Sequence, residues 1–105
     1  MLKIAQNPEF SHKVTVRIPV DGGHVEQSFT ARFRHVPWKD LEAVYQDIDA
    51  QARLVWIGWE GIVDDDDNPI PFSDAARDRL IEMRFIALPV LRAYVDAVQG
   101  AKRGN

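Results

Sequence analysis

The sequence contains no cysteine, which excludes disulfide bonds, thiolate metal ligands and cysteine nucleophiles. Long apolar runs are also missing, because no stretch approaches the roughly 18 apolar residues of a membrane-spanning helix. Positive charge is in deficit, with 13 lysines and arginines against 16 aspartates and glutamates and a net charge of −3. The broad positive surface of a general nucleic-acid binder is therefore not expected. We predict a cytoplasmic protein whose partners include neither nucleic acid nor membrane.

What is present suits one small folded domain. The 105 residues allow a single modest core, and 46% hydrophobic with 28% charged residues is ordinary for a folded chain. A core of this size leaves no room for a deep enclosed pocket, so we expect function on the surface. We predict one domain over 1–105, with flexible ends at 1–10 and 101–105.

Alternating apolar and polar residues predict an antiparallel hairpin in the first half of the chain. The period-two pattern of a half-buried strand covers 12–20 and again 25–34. The Asp-Gly-Gly run at 21–23 is a turn signal, because glycine reaches positive φ freely. An antiparallel register with Val20 opposite Val25 places the apolar side chains on one face. That face must pack on helices, since an isolated hairpin is marginally stable.

Apolar spacings of three and four predict helices in the second half. One stripe of apolar residues begins a helix over 38–59: Trp38, Leu41, Val44, Tyr45 and Ile48. Its last part, 54–59, is apolar all round and also fits a strand, but helix is favoured because no turn signal interrupts the pattern. Further helices are predicted over 74–84 and 89–99, with a break or kink near Ala87 caused by Pro89. The fold class is therefore α+β, with three to four helices on one face of a small antiparallel sheet.

Four consecutive aspartates begin at Asp64 and suggest a calcium loop. Asp64, Asp66 and Asn68 fall at positions 1, 3 and 5 of that motif. Pro69 stands where the sharp turn needs glycine, and the twelfth position is Ala75 instead of a bidentate glutamate. A solvated acidic turn is favoured, and we predict no metal site.

Other signs of catalysis are weak. The three histidines, His12, His24 and His35, are far apart in the chain and share no helical face as a zinc pair would. Ser73 is explained as a helix cap and lies in no nucleophile-elbow context. We predict no cofactor and no catalytic residue. A small enzyme or metal protein is the alternative if folding brings a histidine to the acidic turn.

Trp56 and Trp59 share one face if their segment is helical. Packing in the core is favoured for the pair; the alternative is that one tryptophan, with Ile57 or Ile62, forms an exposed patch beside the acidic turn. Basic residues at the end of the chain and on the last helices form a second candidate surface. The predicted partner contacts are Trp56, Trp59, Ile62, Phe72, Lys102 and Arg103.

Several short motifs, taken in order, resemble the small tail assembly chaperones of long-tailed bacteriophages. They are Phe-x-Ala-x-Phe at 29–33, Gly-Trp-Glu-Gly at 58–61, the acidic turn, Pro-Phe-Ser at 71–73 and Gly-Ala-Lys-Arg-x-Asn at 100–105. The resemblance covers most of the chain from the hairpin onward. The acidic turn departs from it, because members of that family commonly have a glycine there.

The resemblance implies a non-enzymatic protein that acts in the host cytoplasm during phage or prophage expression. Such chaperones bind the long, hydrophobic tape measure protein, keep it soluble and help to recruit tail tube protein, and they are absent from the finished virion. In some relatives a frameshifted, longer product contacts tail tube protein. Self-association into a homo-oligomer is a further expectation, by strand addition at an exposed hairpin edge. The alternative function is a generic adaptor or inhibitor domain that binds one folded partner through a compact aromatic patch.

Overall fold

A computed structural model describes residues 1–100, and within them three strands and four helices form an α+β fold, which confirms the predicted class. The sheet has the strand order β1-β2-β3. The elements in chain order are β1 (Glu9–Val20), β2 (Gly23–Arg34), α1 (Trp38–Glu42), α2 (Ile48–Val55), β3 (Trp56–Glu60), α3 (Asp74–Ile81) and α4 (Arg84–Gln99). The first strand begins inside the predicted flexible end 1–10.

The predicted hairpin is confirmed, but its register differs by two residues. Val20 lies opposite Gly23, so the predicted pairing of Val20 with Val25 is wrong. The reason is the turn, which Gly22 closes at φ 78° with only two residues between the strands. A shift by two residues keeps each side chain on its original side of the sheet. The apolar face is therefore the predicted one.

The predicted single helix over 38–59 is wrong in two places. Its first part ends at Glu42, where residues 43–47 turn, and a new helix begins after Asp47, whose carboxylate accepts a hydrogen bond from the Ala50 backbone N–H at 3.0 Å. Its last part is the strand β3, which pairs antiparallel with β2 from Thr30 to Phe33. Pairing with a distant strand satisfies this backbone and outweighs the local helical spacing.

A β-bulge places both tryptophans of β3 on the inner face of the sheet. The register shifts between Arg32 and Phe33, which leaves Ile57 as the extra residue. Residues three apart on a regular strand face opposite sides, but one extra residue returns the second to the side of the first. The Trp56 and Trp59 ring centroids are accordingly 5.3 Å apart.

The last two helices have boundaries other than those predicted. α3 ends at Ile81, short of the predicted residue 84, and α4 begins at Arg84, so no break occurs near Ala87. Pro89 lies inside α4, where its ring removes a single backbone donor without ending the helix. Gly100, at φ 69°, forms the left-handed cap that ends α4.

The core lies between the inner face of the sheet and α2, α3 and α4. Its largest fully buried side chains are Trp56, Phe33, Ile81, Val14, Val55 and Val90. An aromatic cluster closes one end of this core, where Tyr94 meets the rings of Phe10 and Phe33 at centroid distances of 6.0 and 5.6 Å. Across residues 1–100, every helix is too short or too polar to cross a bilayer.

Candidate partner-binding surface

An open apolar cleft of about 240 Å³ lies under the half of the hairpin that is nearer its turn. We call it the hairpin cleft. Residues from the hairpin, from the loop after β3 and from the two last helices line it: Val16, Ile18, Gln27, Ser28, Phe29, Gly61, Ile62, Val63, Ile70, Leu80 and Ile86. Most of these side chains are aliphatic, so the cleft offers apolar surface and few polar groups.

Exposed valines extend the apolar surface beyond the hairpin cleft. Val20 and Val25 follow the lining residues on the inner face of the hairpin and are 48% and 44% exposed. Val63, a lining residue on the opposite wall of the cleft, is itself 47% exposed. Single exposed valines are ordinary on a protein surface, but a group of them next to an apolar cleft makes this surface a candidate interaction site.

Trp59 holds the loop that forms one wall of the cleft. Its indole N–H donates to the Ile70 carbonyl at 2.7 Å, and its ring meets that of Phe72 edge to face at 4.8 Å. The Ile70 N–H donates in turn to the Ile62 carbonyl at 3.0 Å. Of the predicted contact residues, the structure thus brings Trp59, Ile62 and Phe72 together around this loop.

The remaining predicted contact residues are placed differently. Trp56 is 0% exposed and belongs to the core, where its indole N–H donates to the Gly58 carbonyl at 2.9 Å. Any influence of Trp56 on a partner is indirect, through the Trp59 ring that it supports. Lys102 and Arg103 lie outside the described residues.

Arg77, one of the arginines of the second candidate surface, has a structural role. Its guanidinium donates to the carbonyls of Arg53 and Trp56, at 3.2 and 3.3 Å, and lies 5.9 Å from the centre of the Phe72 ring. The side chain is only 12% exposed. It therefore joins α3 to the end of α2 and packs against Phe72, where a partner has little access to it.

The acidic turn forms an anionic rim next to the cleft. The Asp64 carboxylate accepts hydrogen bonds from the backbone N–H groups of Asp66 and Asn68, both at 2.9 Å. This carboxylate closes a turn, in the manner of an Asx motif. Within residues 1–100, no group of three or more histidine, cysteine, aspartate or glutamate side chains is placed to hold a metal ion. The turn follows Val63 directly, so its exposed charges border the hairpin cleft.

An exposed aromatic pair was missed at the sequence level. Trp38 and Tyr45 are 62% and 64% exposed, and their rings meet edge to face at 6.5 Å. The sequence placed both in the apolar stripe of one long helix, but the helix ends at Glu42 and the pair borders a shallow depression. The signal that could have found it is Asp47, a good N-cap that marks the start of a second helix.

Comparison of the chain with protein-family models, with curated proteins and with solved structures found no match. Each of the two surfaces, the hairpin cleft and the Trp38–Tyr45 pair, offers apolar or aromatic area beside carboxylates. Such surfaces bind a partner by burying apolar area and select it by charge.

Proposed function

We propose that this protein is a phage tail assembly chaperone, a non-enzymatic protein that binds the tape measure protein and keeps it soluble in the host cytoplasm. The hairpin cleft is the observation that carries this proposal. Its aliphatic lining and the exposed valines beside it can bury apolar side chains of a hydrophobic partner. The motifs that resemble the phage tail chaperones supply the identity of that partner.

The same surface suits a chaperone that must later release its partner. The cleft is open and small, so binding there buries limited apolar area. The proposal requires an affinity moderate enough for later displacement. The net charge of −3 helps to keep a complex with a hydrophobic chain in solution. In this proposal, tail tube protein displaces the chaperone as it assembles around the tape measure, with or without a longer frameshift product, and the finished virion lacks the chaperone.

Co-expression with the tape measure protein encoded nearest the gene tests this function, with soluble yield and co-purification as the readouts. Val25→Lys puts a charge beside the hairpin cleft. Val98→Lys is the matched control, because Val98 is 45% exposed, close to the 44% of Val25, and lies at the far end of α4. We expect the wild type and Val98→Lys to keep the tape measure soluble and Val25→Lys to lose most of this effect. A tape measure that is soluble and unbound in every case would show that the proposal is wrong.

The aromatic pair favours a second candidate function, an adaptor or inhibitor domain that binds one folded partner. Exposed tryptophan and tyrosine side chains are frequent energetic centres of protein interfaces. Trp38 and Tyr45 form such a compact patch, with the Glu42 carboxylate accepting the Trp38 indole N–H at 3.1 Å. Under this function the partner binds at the pair, and the hairpin cleft is not needed.

A further inference from the structure

One edge of β2 has unpaired backbone groups next to the hairpin cleft. A hairpin closed by two residues begins with a hydrogen-bonded pair, here Val20 with Gly23, and the next pair, Pro19 with His24, is not hydrogen-bonded. Pro19 fits this place because it has no N–H to donate. Pairs without hydrogen bonds recur every two residues, so the N–H and C=O groups of His24, Glu26 and Ser28 all point away from β1.

The third strand covers only part of this edge. β3 pairs with β2 from Thr30 to Phe33, and the chain then leaves the sheet at Gly61, which has φ 90°. Among the described residues, none pairs through its backbone with the outward groups of His24, Glu26 and Ser28. The chain beyond Gly61 forms one wall of the cleft, so the open edge and the cleft lie side by side.

We propose that the open edge and the hairpin cleft together bind an extended segment of a partner protein, which adds to β2 as a strand in line with β3. Alternate side chains of an added strand point to the same face, so apolar residues at every second position would enter the cleft. The acidic turn begins at Asp64, next in the chain to the lining residue Val63, and its carboxylates favour a lysine or arginine at one end of the segment. This inference specifies how the partner of the proposed function is held, and rests on that function only for the partner's identity.

A second copy of the chain is a poorer occupant of the same edge. A centred antiparallel pairing of two β2 edges puts Glu26 of one copy directly opposite Glu26 of the other. Like charges in directly opposite positions destabilise a strand pair. A partner segment that carries apolar and basic residues has no such repulsion and complements the acidic rim.

Backbone amide exchange followed by NMR tests the inference on the wild-type protein. In the free protein we expect the amides of His24, Glu26 and Ser28 to exchange rapidly. In the co-purified complex with the tape measure protein, these three amides should exchange at least about tenfold more slowly. If the complex forms while they stay fast, strand addition is wrong and the chaperone function stands.

A synthetic peptide separates the inference from the proposed function. The probe alternates valine with threonine and carries lysines at both ends; one control has glutamates at the ends, and another has its valines at helical spacing. We expect the lysine peptide to protect the three amides and to bind more tightly than either control. Equal binding of the helically spaced peptide, or no protection by the lysine peptide, would overturn the inference whether or not the tape measure binds.

A variant pair tests the backbone contact itself. Glu26→Pro removes one outward N–H, and Glu26→Ala removes the same side chain but keeps that N–H. We expect Glu26→Pro to bind the lysine peptide about fivefold more weakly than Glu26→Ala, the effect of one lost hydrogen bond. Equal affinities of two folded variants would contradict strand addition at this edge. Sedimentation of the protein at increasing concentration tests the other occupant. A dimer fraction that grows with concentration in the wild type but not in Glu26→Pro would assign the edge to a second copy.

Discussion

The hydroxyl of Tyr94 accepts a hydrogen bond from the backbone N–H of Val36 at 3.0 Å, and this buried contact joins residues 58 positions apart in the chain. Val36 follows the end of β2, and Tyr94 lies on α4. The bond therefore ties the exit of the hairpin to the last helix. It also satisfies a backbone donor that would otherwise be buried without a partner.

Tyr94→Phe should lower the free energy of unfolding by about 1–3 kcal/mol, because the buried Val36 N–H loses its acceptor. Denaturant unfolding measures the change. Tyr45→Phe is the control. Tyr45 is 64% exposed, so removal of its hydroxyl should change the free energy of unfolding by less than about 0.5 kcal/mol. Equal effects of the two variants would mean that the hydrogen bond between Val36 and Tyr94 adds nothing to stability.

Trp59→Phe should lower stability by about 1 kcal/mol, since it keeps an aromatic ring near Phe72 but loses the donor to the Ile70 carbonyl. The loss should also loosen the wall of the hairpin cleft, which amide exchange over residues 62–70 would report. Trp38→Phe removes an indole bond to Glu42 that is exposed, so its stability should stay within about 0.5 kcal/mol of the wild type. A destabilisation by Trp59→Phe without faster exchange in the loop would contradict this role.

Trp38→Ala should leave the free energy of unfolding within about 1 kcal/mol of the wild type, because the side chain is 62% exposed. If a partner docks on the aromatic pair, the same change should weaken its binding about tenfold or more. Pull-down of the partner at a series of protein concentrations measures the affinity, and Val98→Ala serves as the surface control. Unchanged binding by Trp38→Ala, with loss of binding by Val25→Lys, would exclude the adaptor function at the pair and favour the cleft.

Asp67→Gly should raise the free energy of unfolding by about 0.5–1 kcal/mol. Asp67 adopts the left-handed conformation at φ 62°, where a glycine has no steric cost from a Cβ atom. Asp65→Gly removes the same charge without relieving a positive φ, and should be neutral or destabilising. Thermal unfolding of the two variants gives the comparison. An equal gain from both would assign the effect to charge instead of backbone conformation.

Much of the hairpin was predictable because its signals are local. Alternation over 12–20 and 25–34 indicated which side chains face inward. This assignment stayed correct despite the two-residue error in register, because side chains of a strand return to the same face every two residues. The start of α3 was likewise predictable, since Ser73 accepts a hydrogen bond from the Ala76 N–H at 3.0 Å, as an N-cap does. Such features depend on residues a few positions apart.

The candidate surface was predictable only in part. Trp59, Ile62 and Phe72 were selected from sequence and do contact one loop, through the Trp59–Phe72 ring pair and the hydrogen bonds of Trp59 and Ile62 to Ile70. The hairpin wall of the cleft was not selected because the opposite wall comes from segments distant in the chain, and the aromatic pair was not selected because its exposure depends on where α1 ends. Helical spacing placed Trp38 and Tyr45 in one apolar stripe of a helix over 38–59, but α1 ends at Glu42 and residues 43–47 interrupt the stripe, and both side chains are exposed.

The composition limits, the hairpin, the inner face of each of its strands and the α+β class follow from the order of residues along the chain. Three features arise only when distant segments pack: residues 56–60 form a strand, the bulge at Ile57 turns both tryptophans inward, and β2 keeps an open edge beside an apolar cleft. The range of the interactions explains this division. Periodicity and caps act over one or two turns of chain, whereas strand pairing and cleft formation depend on backbone groups and side chains that meet only when distant segments pack.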